Sequence, residues 1–405
     1  MPSIRRRATA DTSWEHRADE TQKFHTGLVA TIAAGHALHD TYTGFLPALL
    51  PAFIERLALS NAQAGLLSLF MKLPSLFQPV IGNFADRLDM RYMVVLTPAL
   101  TSVAMSLLGV APGYVVLAVL LTVAGFSSAG FHSVAPVMAG RLSGRGLGRG
   151  MGFWMVGGEL GRTLGPLVIV TAVSLWTLRG TPWLMTFGLA ASAVLYFRLR
   201  DVPARPANIA PARPWRHALR TMRPLLAPMA GIITVRALMN SAAMIFLPTF
   251  LIGEGSSLWL AGASLSLLEA AGVVGALTGG SLSDRLGRRR IVATALIVSS
   301  VSMVAFLNVA GAARIPVLLV LGFSTLSIHP VLMALVQESF PENRALANGI
   351  YSGADIVVNS VATLALGAMG DWWGLSTAFY ASAAVMLLGL PLLFALPVAK
   401  PRREP

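Results

Sequence analysis

The chain has 405 residues, of which 55% are hydrophobic and only 12% are charged. Soluble domains carry about 25% charged residues, so this composition excludes an ordinary soluble domain and indicates a membrane protein. The net charge of +13 does not indicate a nucleic-acid partner, because the arginines and lysines cluster in short gaps between apolar runs. The absence of cysteine excludes disulfides, thiolate metal sites and cysteine nucleophiles.

The chain is predicted to be an all-α membrane protein with two bundles of six helices. Residues 1–25 are polar and charged, which predicts a cytoplasmic tail rather than a cleaved signal. Stretches long enough to cross about 30 Å of hydrocarbon follow near residues 26–54, 62–83, 92–111, 114–138, 150–175, 182–199, 224–252, 258–280, 290–311, 315–337, 345–369 and 375–397.

A polar stretch rich in Pro, Ala and Arg divides these spans into six and six. The predicted organisation is therefore an N-terminal bundle over 26–199, a cytoplasmic linker over 200–223, a C-terminal bundle over 224–397 and a cytoplasmic tail over 398–405.

The basic residues predict the orientation of the spans. With both termini in the cytoplasm, 25 of the 31 Lys and Arg residues fall on the cytoplasmic side. Only Arg56, Arg179 and Arg314 fall on the opposite side, and the remaining three lie within spans. Cytoplasmic loops of membrane proteins carry such an excess of positive charge.

The two halves carry the same motif about 198 residues apart. After span two it comprises Gly82, Asp86, Arg87 and Arg91, and after span eight Gly280, Asp284, Arg285, Gly287 and Arg288. A membrane protein built from two similar halves is typical of a secondary transporter. We expect each motif to act in a gate, its aspartate pairing with arginines or capping a helix start.

These features resemble the major facilitator superfamily, whose signature loop lies at both of these places. The first copy departs from the pattern at Asp89, where the family usually has glycine. Within the superfamily the chain is most similar to fosmidomycin-resistance-type efflux proteins, through residues 36–42, 46–51, 78–82, 131–132, 156–161, 165–166 and 337–341. That family has neutral or small residues in place of Lys72, Glu159 and Arg162, which implies a different polar lining and a different substrate.

Several ionisable side chains fall at membrane depth, where each costs about 2.5–3.5 kcal/mol unless it faces a cavity or a partner. The candidates for proton coupling are His36, His39, Asp40, Glu159, Glu269 and Asp355. Asp40 is favoured, because a carboxylate beside two histidines can exchange protons near neutral pH. The alternative is that Asp40 only positions His36 or His39.

The resemblance implies that these residues lie on helices that can line a central cavity. Arg236 is the favoured anchor for an anionic substrate, because its planar guanidinium can donate two parallel hydrogen bonds, like the prongs of a fork, to a carboxylate or a phosphonate. Without substrate we expect it to pair with Asp40 or Asp355. The other candidates for the substrate site are Tyr42, Lys72, His132, Arg162, Asn240, His329 and Asn359.

Structural alternatives remain open for these groups. Glu159 and Arg162 can form a pair within one helix, and Lys72 and Glu269 can form a strut between the halves. Each histidine can be a hydrogen-bonded core residue.

Span five carries small residues at every fourth position, namely Gly157, Gly161 and Gly165, followed by Pro166. This pattern is similar to the glycine-rich antiporter motif of drug exporters. Glycines at this spacing flatten one helix face and let a neighbour approach closely, and proline permits a bend. Ordinary helix packing and a role in transport direction both fit the pattern.

The expected function is proton-coupled efflux of a small, anionic organic compound or drug by alternating access. The alternatives are proton-coupled uptake of an organic anion and a non-transporting receptor or scaffold. The expected partners are the substrate, protons and the lipid bilayer of a bacterial inner membrane, with no nucleic acid, and the chain is expected to be a monomer.

We expect no enzymatic activity, no cofactor and no metal. A Walker-type phosphate loop is absent from the sequence, so ATP is not the expected energy source. His36, His39 and Asp40 can in principle ligate a metal ion, but a polar transport face explains them more simply.

Overall fold

The computed structural model describes residues 23–78, 80–81, 90–202, 215–339 and 344–395. These residues are helical apart from short turns, and none of them forms a β-strand. Most of the first repeated motif lies outside the described residues, including Gly82, Asp86 and Arg87, whereas Arg91 lies within them.

The helices of the first half match the predicted spans one to six. They are α1 (Thr26–Thr43 and Phe45–Leu57), α2 (Asn61–Lys72, continued by a 3₁₀ segment, Leu73–Phe77), α3 (Met90–Ser106), α4 (Tyr114–Leu142), α5 (Leu147–Trp176) and α6 (Met185–Leu199).

The second half repeats this order. Its helices are α7 (Trp215–Asn240, a π-helical segment Ser241–Phe246, and Leu247–Gly253), α8 (Leu258–Leu286), α9 (Arg288–Asn308), α10 (Arg314–Ser339), α11 (Arg344–Trp373) and α12 (Leu375–Leu387 and Gly389–Phe394).

Ten stretches among the described residues are long and apolar enough to cross a membrane, and they correspond to predicted spans three to twelve. Spans one and two are helical but interrupted. Helix α1 breaks at Gly44 and carries His36, His39 and Asp40, whereas α2 tightens into its 3₁₀ segment after Lys72. The predicted count of twelve is thus confirmed for ten spans.

The two ends of the bundle differ in their side chains. The basic end carries the arginine-rich turn between α8 and α9, at Arg285 and residues 288–290. The opposite end, which we name the tryptophan end, carries five tryptophans that are 45–75% exposed: Trp176, Trp183, Trp259, Trp372 and Trp373. Exposed tryptophans of this kind form the aromatic belt of membrane proteins at a lipid–water interface.

The two halves contact each other towards the tryptophan end. Helix α2 packs on α11, and α5 packs on α8. The carboxylate of Asp371 accepts hydrogen bonds from the backbone N–H groups of Asn61 (2.6 Å) and Ala62 (2.9 Å). Across the other seam, the N–H of Leu167 donates to the hydroxyl of Ser266 at 3.2 Å.

Towards the basic end, α5 and α8 expose apolar side chains. Met155 and Val156 of α5 are 52% and 57% exposed, and Leu282 and Leu286 of α8 are 44% and 49% exposed. The hydrogen bonds described above between the two halves lie at the tryptophan end.

The glycines of α5 let α1 approach it closely. A Cβ atom added at Gly157 or Gly161 would collide with the backbone oxygens of Ala33 and Ala37, and one at Gly165 would meet Thr41 of the same helix. The geometry therefore shows the close packing that the glycine spacing predicts. A role in transport direction stays a prediction.

Candidate functional site

Polar side chains from α7 and α11 form a ladder in the second half. The guanidinium of Arg236 donates from Nη2 to Oδ1 of Asp355. One turn further on, Asn240 donates to Asn359 at 3.4 Å. The spacing of four residues on both helices aligns these rungs, as the sequence pattern implies.

The ladder lies where α7 departs from regular α-helix. Ser241 begins the π-helical segment, and its hydroxyl is 2.9 Å from that of Thr363 on α11. Single π-helical turns inside α-helices occur frequently at functional sites.

One hydrogen-bond donor of Arg236, its Nε–H, has no partner among the described residues. The residue is only 3% exposed, yet no described residue accepts a hydrogen bond from its Nε. The side chain of Asp355 is 21% exposed, so the pair is accessible from its carboxylate side. A buried guanidinium with an unused donor beside an accessible carboxylate is suited to receiving a second anion.

Other polar groups surround the Arg236–Asp355 pair. Lys72 of α2 interacts electrostatically with Asp355, which brings a second cation to the same carboxylate. His329 of α10 interacts electrostatically with Arg236 and Asp355, and its Nδ1 is 3.1 Å from the hydroxyl of Tyr351.

In the first half, α1 and α4 bring three groups together. Nε2 of His36 is 3.3 Å from Oδ2 of Asp40 and 3.2 Å from Nε2 of His132. Nε2 of His132 is 3.5 Å from Oδ1 of Asp40. We name these three residues the His–Asp cluster. The ring of Trp154 stacks on His36 with centroids 3.6 Å apart.

Arg162 and Glu159 form an ion pair within α5, as the structural alternative for them proposed. The arginine side chain remains 49% exposed, and it also interacts electrostatically with Glu269 of α8. The alternative of a Lys72–Glu269 strut is wrong for this structure, because Glu269 interacts with Arg162 while Lys72 interacts with Asp355.

Two residues proposed for the site are buried and make other contacts. Tyr42 is 3% exposed, packs in the hydrophobic core and donates from its hydroxyl to the carbonyl of Leu184 at 2.5 Å. The expectation that it contacts substrate is wrong, because its hydroxyl bonds within the first half. His39 is fully buried and stacks on Phe131 at 4.6 Å, so it does not join the His–Asp cluster.

The second repeated motif forms a compact turn after α8. Asp284 pairs with Arg288 at 2.5 Å, and Arg288 also donates to the carbonyl of Gly280 at 3.3 Å. Gly287 has φ +92°, which glycine adopts without strain. Arg285 is exposed. From the first motif, the described Arg91 donates to the carbonyl of Arg200.

Sequence reasoning missed several residues of the site. Tyr351 lies four residues before Asp355, on the face that also carries Asn359, so helical spacing could have found it. Trp154 and Asp371 left no comparable signal, because their contacts are with distant helices.

Comparisons with known proteins agree with this architecture. The Major Facilitator Superfamily model matches residues 32–341 and again 266–405. The chain is 23% identical over 389 residues to the fosmidomycin resistance protein of Escherichia coli K12, covering 91% of this chain and 92% of that protein. It is 24% identical over 394 residues to the uncharacterized MFS-type transporter YfnC of Bacillus subtilis 168, covering 93% and 94%.

Solved transporter structures share the fold at low identity. A bacterial homologue of the human lysosomal transporter Spinster, in an inward-facing and unoccupied conformation, aligns with a TM-score of 0.73 at 14% identity, over 93% of this chain and 96% of that one. A point mutant of the nucleoside transporter NupG aligns with a TM-score of 0.76 at 15% identity, over 91% and 99%. With two similar halves and a family model that matches most of its length, the chain is a membrane transporter, not an enzyme, and belongs to the Major Facilitator Superfamily.

Proposed function

We propose that this transporter carries a small organic anion and that protons are coupled to its movement. The observation that supports this proposal is the Arg236–Asp355 pair between α7 and α11, in which Arg236 retains an unused N–H donor. Lys72 interacts electrostatically with the same carboxylate. A site lined by Arg236 and Lys72 favours an anion.

The ion pair provides a way to link the anion to a proton. An anion that binds Arg236 competes with Asp355 for the guanidinium. A partly buried carboxylate that loses its cation is unfavourable unless it takes up a proton. The anion and a proton would then occupy the site together.

This proposal assigns proton coupling to Asp355 rather than to Asp40. The sequence favoured Asp40 because two histidines lie near it. In the structure its neighbours are the imidazoles of His36 and His132, whereas Asp355 is bonded directly to the candidate substrate anchor. Asp355 can therefore respond to a substrate at Arg236 without an intermediary.

Export is the direction that similarity to the fosmidomycin resistance protein favours. In this proposal the chain lies in a bacterial inner membrane with both termini in the cytoplasm. Export driven by proton entry requires a group that releases its proton when the anion binds, and the exchange at Arg236 and Asp355 does not supply one.

Proton-coupled uptake is the second candidate, and the Arg236–Asp355 pair favours it. If the anion and the proton bind together, they also cross together. The inward proton gradient of a bacterial cytoplasmic membrane would then drive the anion inwards.

Transport in everted and right-side-out membrane vesicles, with and without an imposed pH gradient, tests the proposal. Fosmidomycin, a small phosphonate, is the first probe, followed by small carboxylates and, for contrast, a lipophilic cation. We expect gradient-dependent movement of an anion that is absent from vesicles carrying Arg236→Ala. Movement of the cation alone, or anion transport that survives Arg236→Ala, would overturn it.

A further inference from the structure

The His–Asp cluster brings two imidazole nitrogens and a carboxylate together. Nδ1 of His36 lies 2.8 Å from the carbonyl of Trp154, which only accepts, so this Nδ1 carries the hydrogen. Nδ1 of His132 lies 3.0 Å from the carbonyl of Ser128 and 3.2 Å from the hydroxyl of the same residue. When both Nδ1 atoms donate to their carbonyls, the neutral rings present their Nε2 lone pairs to each other and to Asp40.

The carboxylate of Asp40 adds a negative charge that a cation would stabilise. Its side chain is 9% exposed, and no described residue donates a hydrogen bond to Oδ1. An ionised carboxylate and two imidazole lone pairs within 4.8 Å of one another repel unless a positive charge lies among them.

The separations fit a tetrahedral metal ion. Zinc binds imidazole nitrogen at about 2.0–2.1 Å and carboxylate oxygen at about 2.0–2.2 Å, which places neighbouring ligand atoms about 3.3 Å apart in a tetrahedron. Nε2 of His36 is 3.2 Å from Nε2 of His132 and 3.3 Å from Oδ2 of Asp40, and Nε2 of His132 is 3.5 Å from the other carboxylate oxygen, Oδ1, so this match has Asp40 facing the ion with both oxygens. We propose that His36, Asp40 and His132 bind a divalent transition-metal ion of the zinc class.

The surroundings of the cluster match those of known metal sites. Metal-ligating histidines usually donate their second ring N–H to a carbonyl or carboxylate, which fixes the tautomer, and Nδ1 of both histidines here lies within hydrogen-bond distance of a carbonyl. The side chain of His132 is 30% exposed, so a fourth coordination position and an entry path lie on its side. Two nitrogens and one oxygen favour zinc over magnesium, which prefers oxygen ligands only.

The test measures zinc binding to the purified, detergent-solubilised full chain without a polyhistidine tag, by competition with a chromophoric chelator. We expect one zinc ion that Asp40→Asn and His132→Gln each weaken by at least about tenfold. His329→Gln is the matched control, because His329 occupies the position equivalent to His132 in the second half but faces Tyr351. It should leave the zinc affinity unchanged, and magnesium should not compete.

A second readout separates ligation from loss of folding. Cobalt(II) in a tetrahedral site absorbs visible light far more strongly than octahedral cobalt, and the parent protein should show this absorption. Elution volume and melting temperature identify any variant that has not folded. Zinc binding that persists in folded Asp40→Asn and His132→Gln, or a parent protein that binds neither zinc nor cobalt, would overturn the proposal and leave a shared proton as the cation of the cluster.

Discussion

Arg236 shows how far sequence reasoning reaches for a single residue. Its apolar surroundings require a partner, and Asp355 was one of the two carboxylates named for it. The four-residue spacing of Arg236 and Asn240, and of Asp355 and Asn359, also implied two matching faces. The spare Nε donor could not be foreseen, because it depends on how the side chain of Arg236 is oriented against α11.

Substitution of Arg236 should separate charge from geometry. Arg236→Lys keeps the positive charge but loses the fork, so an anionic substrate should bind more weakly by roughly 1–3 kcal/mol, the scale of a charge-assisted hydrogen bond. Arg236→Ala should weaken binding further. Binding of the labelled anion to purified protein measures both, and Arg314→Lys, at the tryptophan end, is the control. Equal affinity in the parent and in Arg236→Ala would show that the site does not select anions.

At the scale of a single helix, the glycines of α5 show most clearly what the sequence predicts. Their spacing predicted one flat face, and α1 packs against it. The sequence did not say which helix would come close, since glycine spacing describes only one of the two surfaces. Closely packed glycines of α8 were missed: an added Cβ at Gly275 or Gly279 would meet α10 at Phe323 or Ser327.

Replacing a glycine of α5 by alanine adds one methyl group and tests whether the contact with α1 requires glycine. Gly161→Ala should destabilise the protein by about 1–3 kcal/mol, because its Cβ would collide with Ala37 and Asp40 of α1. Gly152→Ala in the same helix meets no atom within 4 Å and should be neutral or slightly stabilising. Melting temperatures of the two purified variants provide the comparison. Equal melting temperatures would contradict the close packing of α1 on α5.

The N-terminus of α2 shows how one half can hold the other. Ser60 and Gln63 form a capping box that satisfies each other's backbone N–H groups. The N–H groups of Asn61 and Ala62 remain, and both donate to Asp371 of α11. The carboxylate therefore completes the cap of a helix in the other half, where the helix dipole also favours negative charge.

Removing this cap should open the tryptophan end. Asp371→Ala should destabilise the arrangement in which the tryptophan end is closed by roughly 0.5–2 kcal/mol, the scale of losing an N-cap. It should not affect an arrangement in which that end is open. The chain has no cysteine, so Ser266→Cys at the seam between α5 and α8 provides a single reporter. A membrane-impermeant thiol reagent should label it faster in the Asp371→Ala background.

Glu254→Gln is the matched control, because Glu254 pairs with Arg314 within the second half and does not bridge the halves. It should leave labelling of the cysteine unchanged. Labelling that is equally slow with Asp371→Ala would mean that the cap does not hold the two halves together.

For the whole molecule, repetition and charge distribution were the informative signals. The repeated motif predicted two similar halves, and the apolar stretches predicted the ten spans that the structure confirms. The end at which the two halves contact each other was not predictable, because one sequence must support both states of a transporter. The interruption of α1 also left no clear signal beyond its polar residues.

The exchange at Arg236 is the central claim, and proton movement on substrate binding tests it most directly. The anion identified in the vesicle assay is added to purified protein in weakly buffered solution, and a pH indicator reports protons while binding is measured in parallel. The account predicts uptake of about one proton per bound anion by the parent protein, and binding without proton uptake by Asp355→Asn. No proton uptake by the parent, or equal uptake by Asp355→Asn, would contradict it.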